Sequence, residues 1–110
     1  MRHWDLQTID VMPRRPIVLD SRRGEARSIA LHLTAGDALD EHQVHERAHL
    51  VVVDGEIEVQ NGTGPQRGGP GMLAIFDPAE RHQVRAVTDA RLLLILAPWP
   101  GDGHPGARDI

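Results

Sequence analysis

The chain has 110 residues, 12 basic and 16 acidic, with a formal net charge of −4 at pH 7. This length fits one domain with its own core, and the lack of cysteine excludes disulfides, thiolate metal sites and cysteine nucleophiles. The acidic balance argues against nucleic-acid binding, and neither a bilayer-spanning apolar run nor a secretory signal is present, so we expect a cytoplasmic protein without nucleic-acid or membrane partners.

Short apolar segments separated by glycine and proline predict an all-β domain. Apolar alternation predicts a strand over 25–34, and the residues on either side of Asp54-Gly55 predict a hairpin over 50–60. A second hairpin signal, Asn61-Gly62, opens a glycine-rich stretch, 62–71, in which we expect no regular structure. The spacing of these elements is typical of an antiparallel sandwich or barrel.

The chain divides into a central barrel and two flanks. Residues 1–24 are expected to supply one or two edge strands, residues 25–97 the barrel and residues 98–110 an irregular tail. The remaining strands are expected at 72–76, 82–87 and 91–97, with edge strands from 4–9 and 17–19.

The stretch 37–50 is open to two interpretations. As a helix capped by Asp37, it would place His42, His45 and His49 on one face. As extended chain, it would place His42 at the end of one strand and His49 at the start of the next.

Histidine is the residue that carries chemistry here. Three of the seven histidines fall within eight positions, and imidazole is the commonest side-chain ligand for transition metals. Together with a fourth, more distant histidine they predict a metal site that suits Zn, Fe, Ni or Cu. The candidate ligands are His42, His82, His49 and His45.

One alternative is a zinc metalloprotease. Residues 45–49 read H-E-x-x-H, a motif that binds zinc when it lies within a helix, with its glutamate as general base. Here a β-branched run, 50–53, follows at once, so a helix would have to stop at the second ligand. We therefore treat this as a remote alternative.

Two segments resemble the conserved motifs of the cupin family. The stretch from Gly36 through His42 to Gly55 resembles the first motif, G-x5-H-x-H-x3-4-E-x6-G, and the stretch from Gly71 to His82 resembles the second. The resemblance implies a double-stranded β-helix barrel of the jelly-roll type, and a homodimer paired through sheet edges and N-terminal strands. It also implies one divalent metal inside the barrel, with His42 and His82 as matching ligands.

The chain departs from the first motif at two ligand positions. The second histidine position falls on Val44 and the glutamate position on Ala48, while His45 and His49 each lie one residue further on. A one-residue change in the loop would bring both inward and give a four-histidine site, which we favour. Without that change, strand alternation turns His49 outward.

These observations support two classes of function. The first is a metal-dependent enzyme acting on a small molecule inside the barrel, with Glu46 as a weak candidate general base that would otherwise be an exposed loop carboxylate. The second is a non-catalytic module that binds or senses a small ligand at a degenerate metal site. The apolar lining expected for either is Val52, Leu73, Ile75 and Leu94.

Overall fold

The computed structural model describes residues 1–42 and 45–101, with the backbone alone for 40–42. All regular elements in this part are β-strands, which confirms the all-β prediction and decides the 37–50 stretch in favour of extended chain. None of the described residues forms a helix that could cross a membrane. In chain order the strands are β1 (Ile17–Ser21), β2 (Glu25–Leu33), β3 (Ala38–His42), β4 (Arg47–Asp54), β5 (Ile57–Gln60), β6 (Pro65–Gly68), β7 (Leu73–Phe76), β8 (His82–Ala86) and β9 (Ala90–Trp99).

The strands form two antiparallel sheets. A five-stranded sheet has the order β1-β2-β9-β4-β7, and a four-stranded sheet has the order β3-β8-β5-β6. On the strands that line the core, such as β4, β5 and β8, alternating residues are buried, as period-two patterning requires when one face of a sheet packs on a core. The buried core is formed mainly by these inward residues: Leu31, Leu33, Leu50, Val52, Ile57, Val59, Phe76, Val84, Ala86, Leu92 and Leu96.

The two turn signals have different outcomes. Asn61-Gly62 does join a hairpin, because β5 and β6 pair from Ile57 to Gln60. Asp54-Gly55 does not, because β4 and β5 lie in different sheets. Gly55 has φ 81°, and a Cβ there would overlap the carbonyl group of Asp89, so this turn carries the chain tightly from one sheet to the other.

The glycine-rich stretch and the register of β7 differ from prediction. Residues 62–71 contain β6, whose backbone pairs with β5 despite its weak strand composition. On β7, Phe76 faces the core, whereas Leu73 and Ile75 are 54 % and 50 % exposed. The expectation that Leu73 and Ile75 line the interior was wrong, because adjacent strand residues face opposite ways and Phe76 takes the inward position.

The N-terminal segment packs back on its own sheet. Residues 5–9 form a turn closed by hydrogen bonds to the Asp5 carbonyl, so the strand expected at 4–9 does not form. Val11 is buried, and its carbonyl accepts a hydrogen bond from Nδ1 of His32 at 2.9 Å. Nη1 of Arg91 donates to the Ile9 carbonyl at 2.7 Å. The chain then enters β1 at the edge of the five-stranded sheet.

Candidate functional site

His82 is a buried polar residue at the start of β8. Its side chain is 4 % exposed and faces the core, and its ring stacks on Phe76 with centroids 3.9 Å apart and planes 9° from parallel. Nδ1 lies 3.1 Å from the carbonyl oxygen of Glu80. Because a carbonyl can only accept, Nδ1 carries the proton in this hydrogen bond, and the lone pair of a neutral ring is on Nε2.

The backbone brings His42 to the same place. The register of β3 and β8 pairs His42 directly with His82 at the end of the four-stranded sheet. The side chain of His42 lies outside the described residues, as does all of Val44.

Glu46 is a candidate residue whose predicted exposure was wrong. It is 1 % exposed, not an exposed loop carboxylate. Its Oε2 accepts a hydrogen bond of 2.7 Å from the backbone N–H of Gly101, which is itself buried. A Cβ on Gly101 would overlap the carbonyl group of His45, so glycine lets the chain after β9 come this close to residues 45–46.

A simple signal would have located Glu46. Leu50 and Val52 are buried in β4, and counting back in steps of two reaches Ala48 and then Glu46. Ala48 pairs with Phe76, whose ring stacks on His82. Glu46 therefore takes the next inward position along the chain before Ala48.

An ionised carboxylate lies at the edge of the site. The backbone N–H of Asp77 donates to Glu80 at 3.0 Å, and Nδ2 of Asn61 donates at 3.0 Å. These two hydrogen bonds, with a smaller contribution from His82, lower the pKa of Glu80. The 77–80 turn that positions the His82 ring is thus tied to the 61–64 turn.

The pocket beside His82 is polar. It has a volume of about 330 Å³ and lies between the turn after β5 and the start of β8. The lining expected from the sequence was apolar, but Leu73 and Ile75 are on the outer face of the other sheet. This arrangement suits a ligand with hydrogen-bonding groups over much of its surface. The lining residues are Gln60, Asn61, Gly62, Arg81, His82 and Gln83.

The other two candidate histidines lie elsewhere. His49 alternates with the buried residues of β4, so it faces the outer side of the five-stranded sheet, opposite Ile75 and Ile95. His45 is exposed at the bend before β4. His49 therefore points outward, and not inward as we favoured for a four-histidine site.

The protease alternative fails its structural requirement. Its motif needs one helix carrying both His45 and His49. Instead, β4 begins at Arg47, so the second histidine lies in a strand. Among the described side chains there is no group of three or more histidine, aspartate or glutamate residues that could hold a metal. The side chain of His42 is not among the described side chains, so the metal site stays a prediction.

Comparison with known proteins gives a family and a fold. A cupin domain family model matches residues 30–97. A search of curated proteins found no match. Among solved structures, an RmlC-like cupin protein from Desulfovibrio desulfuricans is 24 % identical, with a TM-score of 0.73 over 89 % of this chain and 96 % of that one.

Two further structures resemble the chain at lower identity. A conserved Klebsiella pneumoniae protein with a double-stranded β-helix domain is 20 % identical, with a TM-score of 0.74, covering 93 % of this chain and 92 % of that one. The cupin domain of Schizosaccharomyces pombe Cnp3 is 14 % identical, with a TM-score of 0.78, covering 96 % of this chain and 73 % of that one. These similarities confirm the double-stranded β-helix fold.

Proposed function

Because this chain belongs to the cupin family, we propose that it binds a small polar molecule in the pocket beside His82, next to a divalent transition metal. His42 and His82 are the proposed protein ligands, and Glu46 is the third candidate. The observation that carries this proposal is the buried His82 ring with its Nδ1–H committed to the Glu80 carbonyl.

The chemistry of His82 fits a metal ligand. Ligating histidines in proteins nearly always donate their second ring N–H to a carbonyl or carboxylate, which fixes the ring and its tautomer. The Glu80 carbonyl has this role for His82, and stacking on Phe76 fixes the plane of the ring. The register of β3 and β8 pairs the backbone of His42 with that of His82, which supports His42 as the second proposed ligand.

Glu46 adds a carboxylate to the interior. It is held by one backbone donor and directly precedes β4, a strand of the sheet that does not contain His82, so it is proposed either to bind the metal or to accept a proton from the ligand. A site of imidazole and carboxylate donors suits Zn, Fe, Ni or Cu. When bound, such a metal acts as a Lewis acid and lowers the pKa of coordinated water.

Metal analysis tests the proposal with a built-in control. Protein purified without a histidine tag is reconstituted with Zn²⁺, Fe²⁺, Ni²⁺ or Cu²⁺ at pH 7.5, desalted and assayed by plasma mass spectrometry. We expect about one metal per chain, lost in His82→Ala and in His42→Ala. His49→Ala and His45→Ala are the matched controls, since these side chains lie outside the interior, and both should keep the metal.

Two other results of the metal analysis would change the interpretation. Metal lost equally in His49→Ala would restore the four-histidine site and contradict the register of β4. A wild type that takes up no metal would leave the non-catalytic module as the function of the same pocket.

We also propose that two copies of the chain form a homodimer through the outer face of the five-stranded sheet. Across β9, β4 and β7, two adjacent rows of this face contain no Asp, Glu, Lys or Arg, and they include Leu73 and Ile75 on edge strand β7, each about half exposed. A second copy presents the same uncharged face, so a twofold contact would bury apolar surface without unpaired charge. The two rows are Ile95, His49 and Ile75, and Leu93, Val51 and Leu73.

Sedimentation equilibrium tests the homodimer. The wild type should have twice the mass of one chain at micromolar concentration, and Ile75→Arg should have the mass of one chain, because the introduced charge would be buried without a partner. Gln83→Arg, on the exposed face of the other sheet, is the control and should remain dimeric. A dimeric Ile75→Arg variant would assign the interface to another surface.

A further inference from the structure

A second pocket lies away from the His82 site. It has a volume of about 500 Å³ and is found where the N-terminal segment crosses the turn between β2 and β3. Ala38 and Leu39 of its wall pair with Arg85 and Val84, at the opposite end of the β3–β8 pair from His42 and His82. The lining residues are Arg14, Pro16, Leu31, His32, Leu33, Gly36, Asp37, Ala38 and Leu39.

The pocket exists because β1 is shorter than β2. β1 begins at Ile17, opposite Ala30, so residues 31–33 of β2 extend beyond it. The N-terminal segment covers this edge instead. It is anchored there by the buried Val11 and by the hydrogen bond from His32 to the Val11 carbonyl. The N-terminal segment thus contributes Arg14 and Pro16 to the lining of the pocket.

Arg14 lies at the rim of the pocket, where its side chain is 80 % exposed and paired with Asp37. Its Nη2 donates to Oδ1 of Asp37 at 3.0 Å and its Nε to Oδ2 at 3.4 Å, while Oγ1 of Thr34 donates to Oδ2 at 2.6 Å. Arg14 and Thr34 together lower the pKa of Asp37, so the carboxylate is ionised at neutral pH. Arg14 also has φ 62°, a conformation that arginine rarely adopts.

In the pair of Arg14 and Asp37, the groups that can still form hydrogen bonds are mainly donors. Asp37 already accepts three hydrogen bonds, whereas Arg14 uses one edge of a guanidinium that has five N–H groups. The structure gives Nη1 of Arg14 no partner among the described residues. A guanidinium oriented by one carboxylate on one edge is suited to receive a second carboxylate on the other.

We propose that this pocket binds a small monocarboxylate whose remaining body is apolar. The carboxylate would accept hydrogen bonds from the free edge of Arg14, and the apolar body would pack on Leu31, Leu33 and Leu39. A cation would meet the guanidinium charge instead, and a neutral amide would lose the charge-assisted hydrogen bond. The site is independent of the metal and of the His82 pocket.

Titrations with benzoate, benzamide and benzylammonium, followed by amide chemical shifts, test the proposal. These probes share a ring and differ in charge. We expect saturable shifts at residues 31–39 with benzoate, at least tenfold weaker binding of benzamide and none of benzylammonium. Arg14→Gln should reduce benzoate binding to the benzamide level, whereas Arg67→Gln, at an exposed arginine paired with Glu58, should not change it.

A second variant separates binding from folding. Ala38→Phe places a ring at an exposed position on the pocket wall, so it should block the pocket while leaving Arg14 and Asp37 in place. It should abolish benzoate binding with the rest of the amide spectrum unchanged. Benzoate binding that survives either Arg14→Gln or Ala38→Phe, or shifts centred on His82, would overturn the proposal, as would an absence of saturable shifts.

Discussion

His82 and His49 have the same side chain but opposite surroundings. His82 faces the interior, stacks on Phe76 and is hydrogen-bonded to a backbone carbonyl. His49 faces the outer side of the five-stranded sheet, half-buried between Ile75 and Ile95. The difference shows that strand register, not the local density of histidines, decides which imidazole can take part in an interior site.

On β7, Phe76 faces the interior and its neighbour Ile75 faces the outer side. Substitutions at these two positions should show the largest difference in the free energy of unfolding. Phe76→Ala removes a buried ring that contacts His82, and we expect it to lower the free energy of unfolding by about 3–5 kcal/mol. Ile75→Ala, one residue away on the exposed face, should cost about 0.5 kcal/mol or less in the monomer. Urea denaturation at low protein concentration measures both. Equal costs would mean that Ile75 is covered within one chain.

A smaller difference in the free energy of unfolding is expected between alanine substitutions of Glu46 and Arg47. Glu46→Ala leaves the buried N–H of Gly101 without its acceptor, which should cost about 1–3 kcal/mol. Arg47 forms an exposed ion pair with Asp77, so Arg47→Ala should cost about 0–1 kcal/mol. Thermal unfolding of the two variants compares them. A Glu46→Ala variant as stable as the wild type would show that its carboxylate does not hold the 98–101 segment.

The smallest expected effect is the loss, at acid pH, of the stability contributed by Glu80 at the rim of the His82 site. Folding lowers the pKa of Glu80, so its ionised form stabilises the fold above the unfolded value of about 4.3, and this stabilisation is lost as pH falls through the folded pKa. Glu80→Gln should therefore be less stable than the wild type at pH 6, and the difference should be smaller at pH 3. Urea midpoints at both pH values test this, with Glu25→Gln, an exposed carboxyl on β2, as the control. A constant difference between wild type and Glu80→Gln would assign the effect to packing.

Much of the fold could be predicted because its signals are local. Alternation in β2 and the Asn61-Gly62 turn depend on adjacent residues, and both appear as expected. The Asp54-Gly55 turn could not be assigned to a change of sheet, since the same dipeptide also closes hairpins. What decides the outcome there is the close approach of Asp89, which belongs to a distant part of the chain.

The candidate site was predicted only in part, because some of its features depend on contacts between distant parts of the chain. The motif spacing identified His82, and the β3–β8 register pairs it with His42. The orientation of His49 and the burial of Glu46 depend on which residues of β4 face inward, and that is set by packing against β9 and β7. Leu73 and Ile75 look like core residues by hydropathy, yet Phe76 takes the inward position and leaves them outside.

The position of β9 has a consequence for how the molecule folds. β9 separates β2 from β4 in the five-stranded sheet, and its pairing with β2 joins Leu33 to Ala90, more than half the chain apart. Forming this contact closes a long loop before most of its stabilisation is gained, so we expect folding on the slow, millisecond-to-second scale of β-rich domains. Until β9 inserts, β2 and β4 each have one unpaired edge, and refolding yield should fall as protein concentration rises.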